Sequence, residues 1–165
     1  MVPNLDKVVE KVIVKMADYA VGGEDKVIAT LGLGSCVAVS LYDSHSRIGG
    51  LVHIMLPENP GDKNTAKYAD TAIPLLINQL EKMGAYRRRL SAKIVGGASM
   101  FKSESGESIM KIGKRNIEAV RKYLKKAGVK ITAEDVGKDY GRSMYFYLED
   151  GRVEIRSFNK DNLLL

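Results

Sequence analysis

A chain of 165 residues, 45% hydrophobic and 28% charged, has the size and balance of one globular domain and is neither a disordered nor a fibrous polypeptide. No apolar run approaches the roughly 20 residues of a membrane helix, and the opening MVPNLDKVVEKV lacks a signal peptide's apolar stretch. A cytoplasmic protein without membrane insertion is therefore expected. The net charge of +6 draws the chain toward acidic partners, but with no Trp it lacks the interleaved aromatics of single-strand binders, so no nucleic acid is expected.

In chain order, residues 12–14 and 16–21 read as one strand running into the Gly22-Gly23 turn, followed by a second strand over 27–31. Gly32-Leu33-Gly34-Ser35 breaks the pattern, and Cys36 opens an alternating run, Val37-Ala38-Val39-Ser40-Leu41-Tyr42. Asp43-Ser44-His45-Ser46-Arg47 reads as a hairpin loop, and the chain returns along 48–56 until Pro57 and the turn at 58–61. Helical spacing runs from Asn64 through Leu80, with Pro74 expected to kink the helix and Gly84 to end it. Residues 92–95 form a short strand closed by Gly96-Gly97, and Met100-Phe101 opens a loop carrying Ser103 to Ser108. A basic helix spans about 114–127 and stops at Gly128, and 143–148, Asp150-Gly151 and 152–158 make a final hairpin. The spacing predicts one domain over 1–165, with about 1–10 and 160–165 as loosely ordered ends. Its expected class is α+β, a layered sandwich with a mixed, largely antiparallel β core flanked by two main helices.

The stretch that can carry chemistry is Thr30-Leu31-Gly32-Leu33-Gly34-Ser35-Cys36, a thiol placed where a glycine-rich turn becomes a strand. Glycines allow tight turns and close approach of a ligand, and backbone N–H groups around Gly34, Ser35 and Cys36 can face a developing oxyanion. A chain with one Cys and two His forms no internal disulfide and no closed four-ligand zinc site, so neither metal nor cofactor is expected. His53 lies on the return strand of the hairpin that Cys36 begins. If Tyr42 faces Ile48, Cys36 faces Ile54; if Tyr42 faces Arg47, Cys36 faces His53. The register stays open between these, and one residue of slip moves a side chain to the other face.

An imidazole beside a thiol favours the thiolate–imidazolium form and can protonate a leaving group, and Thr30 can orient the ring through its hydroxyl. Against this stand bland readings: Cys36 as a small buried hydrophobe and His53 as a satisfied core histidine. Juxtaposition across one hairpin weighs against both. Gly106 to Lys114 lacks the spacing of a P-loop, and Gly32-x-Gly34 lacks the rest of a dinucleotide fingerprint. His45 and the basic residues from Lys114 to Lys126 read as solvated.

With TLGLGSCVAVSLYD at 30–43 and GGLVHIMLP at 49–57, the sequence resembles the CheD family of chemotaxis deamidases. The likeness continues more loosely through KYADTAIPLLINQL, KIVGGASMF, IGKRNIEAVRKYL and DVGKDYGRSMYF. It implies Cys36 as nucleophile, His53 as base and Thr30 as the residue that orients the histidine, in a fold similar to the catalytic domain of deamidating necrotizing toxins. It also implies a substrate, glutamine side chains on the cytoplasmic helices of methyl-accepting chemoreceptors, and a protein partner, the phosphatase CheC. Some receptor glutamyl methyl esters are implied as further substrates. Two readings stay open beside this one: a regulatory binding module for CheC or receptors with a vestigial cysteine site, and a basic nucleic-acid binder.

Overall fold

A computed structural model describes residues 8–100 and 107–165, with side chains from 111 onward in the second stretch. The strands are β1 (Glu10–Ile13), β2 (Tyr19–Gly22), β3 (Lys26–Leu33), β4 (Val37–Asp43), β5 (Ile48–Ile54), β6 (Leu90–Gly96), β7 (Lys130–Val136), β8 (Arg142–Tyr147), β9 (Val153–Arg156) and β10 (Leu163–Leu164). Helices α1 (Ala69–Lys82) and α2 (Glu107–Lys126) interrupt them. Two five-stranded sheets result, ordered β1-β3-β8-β9-β10 and β2-β5-β4-β6-β7. The β1–β3 and β6–β7 pairs are parallel and the others antiparallel, which is the expected mixed, largely antiparallel α+β core.

Alternation along β4 and β5 decides the layering. Val37, Val39, Leu41, Val52 and Ile54 point into one apolar cluster with Ile73, Leu76 and Ile77 of α1 and Ile117, Val120 and Leu124 of α2. Ala38, Tyr42 and Leu51 point the opposite way, into a second cluster with Ile28, Met144 and Phe146 of the other sheet. Period-two alternation thus places one sheet in the middle, covered by both helices on one face and by the second sheet on the other. In α1 the buried residues Ala69, Ala72, Ile73, Leu76, Ile77 and Leu80 follow the i, i+3, i+4, i+7 stripe of an amphipathic helix. The helix runs through Pro74 as a single element.

Several boundaries differ from the sequence reading. Residues 12–21 are not one strand: β1 and β2 belong to different sheets, and Ala17, at φ 59°, turns the chain between them. β3 continues past Thr30 to Leu33, its register with β8 shifting between those two residues. The strand β7, with Lys130, Glu134 and Asp135 along it, was read as no element because its charges hide the pattern. α2 begins at Glu107, so Ser108 is helical; Phe101 and Ser103 to Gly106 of the expected loop lie outside the described residues, as do residues 1–7. Glu10 already pairs with Lys26. Residues 160–165 are not a loose tail: Leu163 and Leu164 pair with β9, and Lys93 Nζ donates to an oxygen of Leu165 at 2.9 Å.

The helix layer is pinned where α2 crosses the turn after β6. A Cβ on Gly113 would sit 2.5 Å from Gly97 O and 2.7 Å from Ala98 O, and one on Gly97 would sit 2.4 Å from an Ile117 carbon. Ala normally stabilises a helix interior over Gly by about 0.5–1 kcal/mol, so Gly113→Ala tests the close approach through its sign. The substitution is expected to destabilise the protein, by about 1–3 kcal/mol in denaturant unfolding as overpacking does; a gain in stability would mean that α2 is free to shift.

Candidate active site

His53 stands on the face of β5 opposite Val52 and Ile54, inside the sandwich, and is 1% exposed. Its Nδ1 lies 2.7 Å from Thr30 Oγ1 of β3, in the facing sheet. Thr30, itself 0% exposed, donates its hydroxyl proton to Val14 O at 2.7 Å. A hydroxyl has one proton to give, so toward the imidazole Oγ1 acts as acceptor. The network therefore assigns the proton to Nδ1 and leaves the lone pair on Nε2. Nε2 is buried without a hydrogen-bond partner among the described residues. The crossing from β1 to β2 fixes the backbone of the same residue, with Ala17 N–H donating to His53 O and His53 N–H to Asp18 O, both at 3.0 Å.

Neither expected hairpin register holds. Tyr42 pairs with Gly49 and Ala38 with His53, because Arg47 adopts a left-handed φ of 55° and stays in the turn. Cys36, two residues before Ala38 and just ahead of β4, is consequently the diagonal neighbour of His53 and shares its face. It packs, half-buried, against the inter-sheet cluster. Diagonal neighbours stand about 7–8 Å apart, within reach of long side chains but beyond hydrogen-bond contact at rest, which agrees with the unpartnered Nε2.

Cys36 lines a cavity of about 280 Å³ together with Met16, Gly32, Gly34, Ser35, Ala98 and Met100. A larger hollow of about 410 Å³ lies by Pro74, Arg87 and Tyr123; it contains none of these groups, so volume alone does not mark the site. The turn before Cys36 is tied down on its carbonyl side. Ala98 N–H donates to Gly34 O and Gly97 N–H to Cys36 O, both at 2.8 Å. Gly32, at φ 69°, supplies the left-handed residue where β3 leaves its register, a conformation that glycine adopts without strain.

Burial pushes the Cys36 thiol up from its ordinary value, its own backbone N–H pulling partly the other way. Burial also lowers His53 from 6.5 to about 4. The sequence expectation of a resting thiolate–imidazolium pair is thereby corrected, since desolvation disfavours both charged forms. The structure brings Thr30 and His53 into contact, places Cys36 on their side of the sheet, and puts Gly34 and Ser35 at the cavity. His45 is exposed, as are Lys114, Arg115, Lys125 and Lys126, all as read.

Sequence reasoning missed Asn116. It is 0% exposed, and its Nδ2 donates to Ser35 O and to Met55 O, both at 2.9 Å. Its signal was an amide on the stripe of α2 that also carries Gly113, Ile117, Val120 and Leu124, where an apolar residue is the rule.

A family model described as CheD chemotactic sensory transduction matches residues 55–157, a stretch that begins just after His53. Curated relatives cover more of the chain. A probable chemoreceptor glutamine deamidase CheD of Clostridium novyi is 47% identical over 151 residues, 90% of this chain and 93% of the relative. One of Thermococcus kodakarensis is 44% identical over 93% of this chain and 97% of its own length. The chemoreceptor glutamine deamidase CheD of Thermotoga maritima is 47% identical over 88% and 91%. Among solved structures, Neisseria meningitidis protein NMB0706 overlaps 88% of this chain and 73% of its own at 12% identity and a TM-score of 0.48, too loose a likeness to argue from.

With both groups neutral at rest, the rate of Cys36 alkylation by iodoacetamide is expected to climb only above the ordinary thiol range, roughly pH 8.5. A rate already at its plateau below pH 7 would mean that an ion pair exists before substrate arrives.

Proposed function

The chain belongs to the CheD family, and from that premise we propose that it is a chemoreceptor glutamine deamidase whose nucleophile is Cys36. The substrate is a glutamine side chain on a cytoplasmic helix of a methyl-accepting chemoreceptor, and the products are glutamate and ammonia. The observation that carries the residue assignment is the buried imidazole with Nδ1 engaged by Thr30 and Nε2 unpartnered, on the same sheet face as a thiol that lines an open cavity. A chemoreceptor helix presents its glutamines on a surface, and an opening beside Cys36 admits such a side chain without unfolding either protein.

The chemistry follows from the neutral resting state. As the carboxamide seats, Nε2 takes the proton from Sγ, and the thiolate adds to the amide carbon while the carbonyl electron pair moves onto oxygen. Backbone N–H groups at Ser35 and Cys36 hold that oxyanion. Collapse restores the carbonyl, breaks the C–N bond, and expels ammonia with the proton carried by Nε2, leaving a thioester. Neutral His53 then takes a proton from water, whose oxygen attacks the thioester and releases glutamate and the thiol. A glutamyl methyl ester follows the same course with methanol leaving. Apo catalytic contacts often tighten only when substrate is bound, so the diagonal placement of Cys36 and His53 is compatible with the first step.

Net positive charge favours encounter with an acidic receptor helix in the cytoplasm. The phosphatase CheC is the proposed protein partner, at the surface around Cys36 that also takes receptor.

Mass spectrometry of receptor fragments incubated with the protein is expected to show site-specific conversion of glutamine to glutamate. Cys36→Ala and His53→Ala should each abolish it with unchanged circular dichroism. Thr30→Val, which removes the hydrogen bond that orients the ring together with the one to Val14 O, should slow it on the order of 10-fold. Full turnover by Cys36→Ala would exclude the thioester, and an inert wild type would favour a binding module.

Binding of Cys36→Ala protein to a receptor fragment is expected to fall as CheC is added. Simultaneous binding of both at undiminished affinity would refute a shared surface.

A further inference from the structure

Three consecutive carbonyls at the nucleophile turn are each held by a donor: Gly34 O by Ala98 N–H, Ser35 O by Asn116 Nδ2, and Cys36 O by Gly97 N–H. In a trans peptide the C=O and the following N–H lie in one rigid plane and point in opposite directions, and among the described residues no peptide is cis. Holding Gly34 O therefore fixes where Ser35 N–H points, and holding Ser35 O fixes where Cys36 N–H points. The first anchor is backbone. The second, which sets the N–H of the nucleophile itself, is the side chain of Asn116.

We propose that Asn116 is the positioning residue of the oxyanion hole, holding the Ser35–Cys36 peptide plane so that Cys36 N–H faces the carbonyl oxygen of the substrate. The proposal deepens the deamidase reading and rests on Cys36 being the nucleophile. Both partners of the amide are carbonyls, so its nitrogen must face them, whichever way the side chain would otherwise be drawn. The same nitrogen binds Met55 O, two residues beyond His53, so one amide ties the strand of the base to the turn of the nucleophile. Asn116 Oδ1 is buried without a partner among the described residues. An unmet buried acceptor is destabilising, and an apolar residue would fill this place in α2 without that penalty, which points to the two carbonyls as the reason for the amide. Gly113, one turn earlier, seats the helix against Gly97 and Ala98 and so fixes the height at which Asn116 reaches the turn. Cys36 N–H belongs to the residue whose Sγ forms the new bond to the substrate carbon. There the negative oxygen develops as that bond is made, and Cys36 N–H releases it when ammonia leaves.

The test compares two reactions of the same thiol in Asn116→Ala. Deamidation of a receptor fragment passes through an oxyanion, whereas iodoacetamide alkylation of Cys36 is a displacement that forms none. The expected result is a kcat lower by about 10²-fold, with KM and the alkylation rate each within roughly threefold of wild type, the pattern of a lost oxyanion donor. Unchanged kcat, or alkylation falling in step with kcat, would overturn the proposal. If the Ala variant unfolds, the same two rates are read on Asn116→Ser, whose hydroxyl is too short to span both carbonyls; unfolding of both variants would make the role structural and the proposal wrong. Cys36→Ala in the same assay separates the two levels of the argument. Deamidation surviving there defeats the nucleophile assignment, while a silent Cys36→Ala beside a fully active Asn116→Ala defeats the positioning role alone.

Discussion

One hydrogen bond, from His53 Nδ1 to Thr30 Oγ1 at 2.7 Å, joins side chains that belong to different sheets. It lies among the apolar side chains between the sheets, and it places a demand on the whole sandwich: β3 and β5 must face each other at a fixed height for the imidazole to have a partner. Val14 O completes the chain by taking the hydroxyl proton, so the segment that leaves β1 for β2 also determines which ring nitrogen carries hydrogen. A small slide of one sheet over the other would leave two buried polar groups unsatisfied, which is how such contacts give a fold one alignment among many that hydrophobic packing tolerates.

Around that contact the layers divide the work. The face of the middle sheet toward α1 and α2 is filled by branched aliphatic residues and supplies cohesion. The face toward the other sheet holds His53 and Cys36, near the edge where β3 departs from regular pairing. Glycines at 97 and 113 let helix and turn approach to backbone contact, so α2 serves both as cover for the core and as the platform from which Asn116 reaches the turn ahead of Cys36. Asp43 plays the corresponding role at the far end of the hairpin. Burial alone would raise its pKa, but hydrogen bonds from Tyr86 N–H, Ser46 and Arg89 outweigh this and hold it at about 2, a carboxylate kept charged to close the loop.

What the sequence made legible was whatever local pattern controls. The alternating run at 37–42, the polar loop and the return strand define the hairpin, and a Gly-rich turn ahead of the one cysteine, with Thr30 and His53 flanking it, marks the site. The register was out of reach because it turns on Arg47 adopting a left-handed φ, a conformation that arginine does not advertise. Ala17 hid the passage between sheets for the same reason. β7 pairs in parallel with β6, a long-range partnership that charged residues along an edge strand do not announce, and Leu163 and Leu164 gain their partner only when β9 is already in place. The electrostatic state of the site depends on burial, which no spacing of residues encodes: the neutral pair of Cys36 and His53 became visible only with the two sheets closed over them.

That closure affects the protein's chemical durability. Thiolates are the form of cysteine that peroxides oxidise and that stray electrophiles capture, and susceptibility follows thiolate character together with exposure. A thiol that burial keeps protonated, beside an imidazole that burial keeps from accepting charge, offers little to either. In the proposed deamidation the thiolate forms only as the carboxamide seats and is gone once product leaves, so between turnovers the sulfur would be an inert side chain.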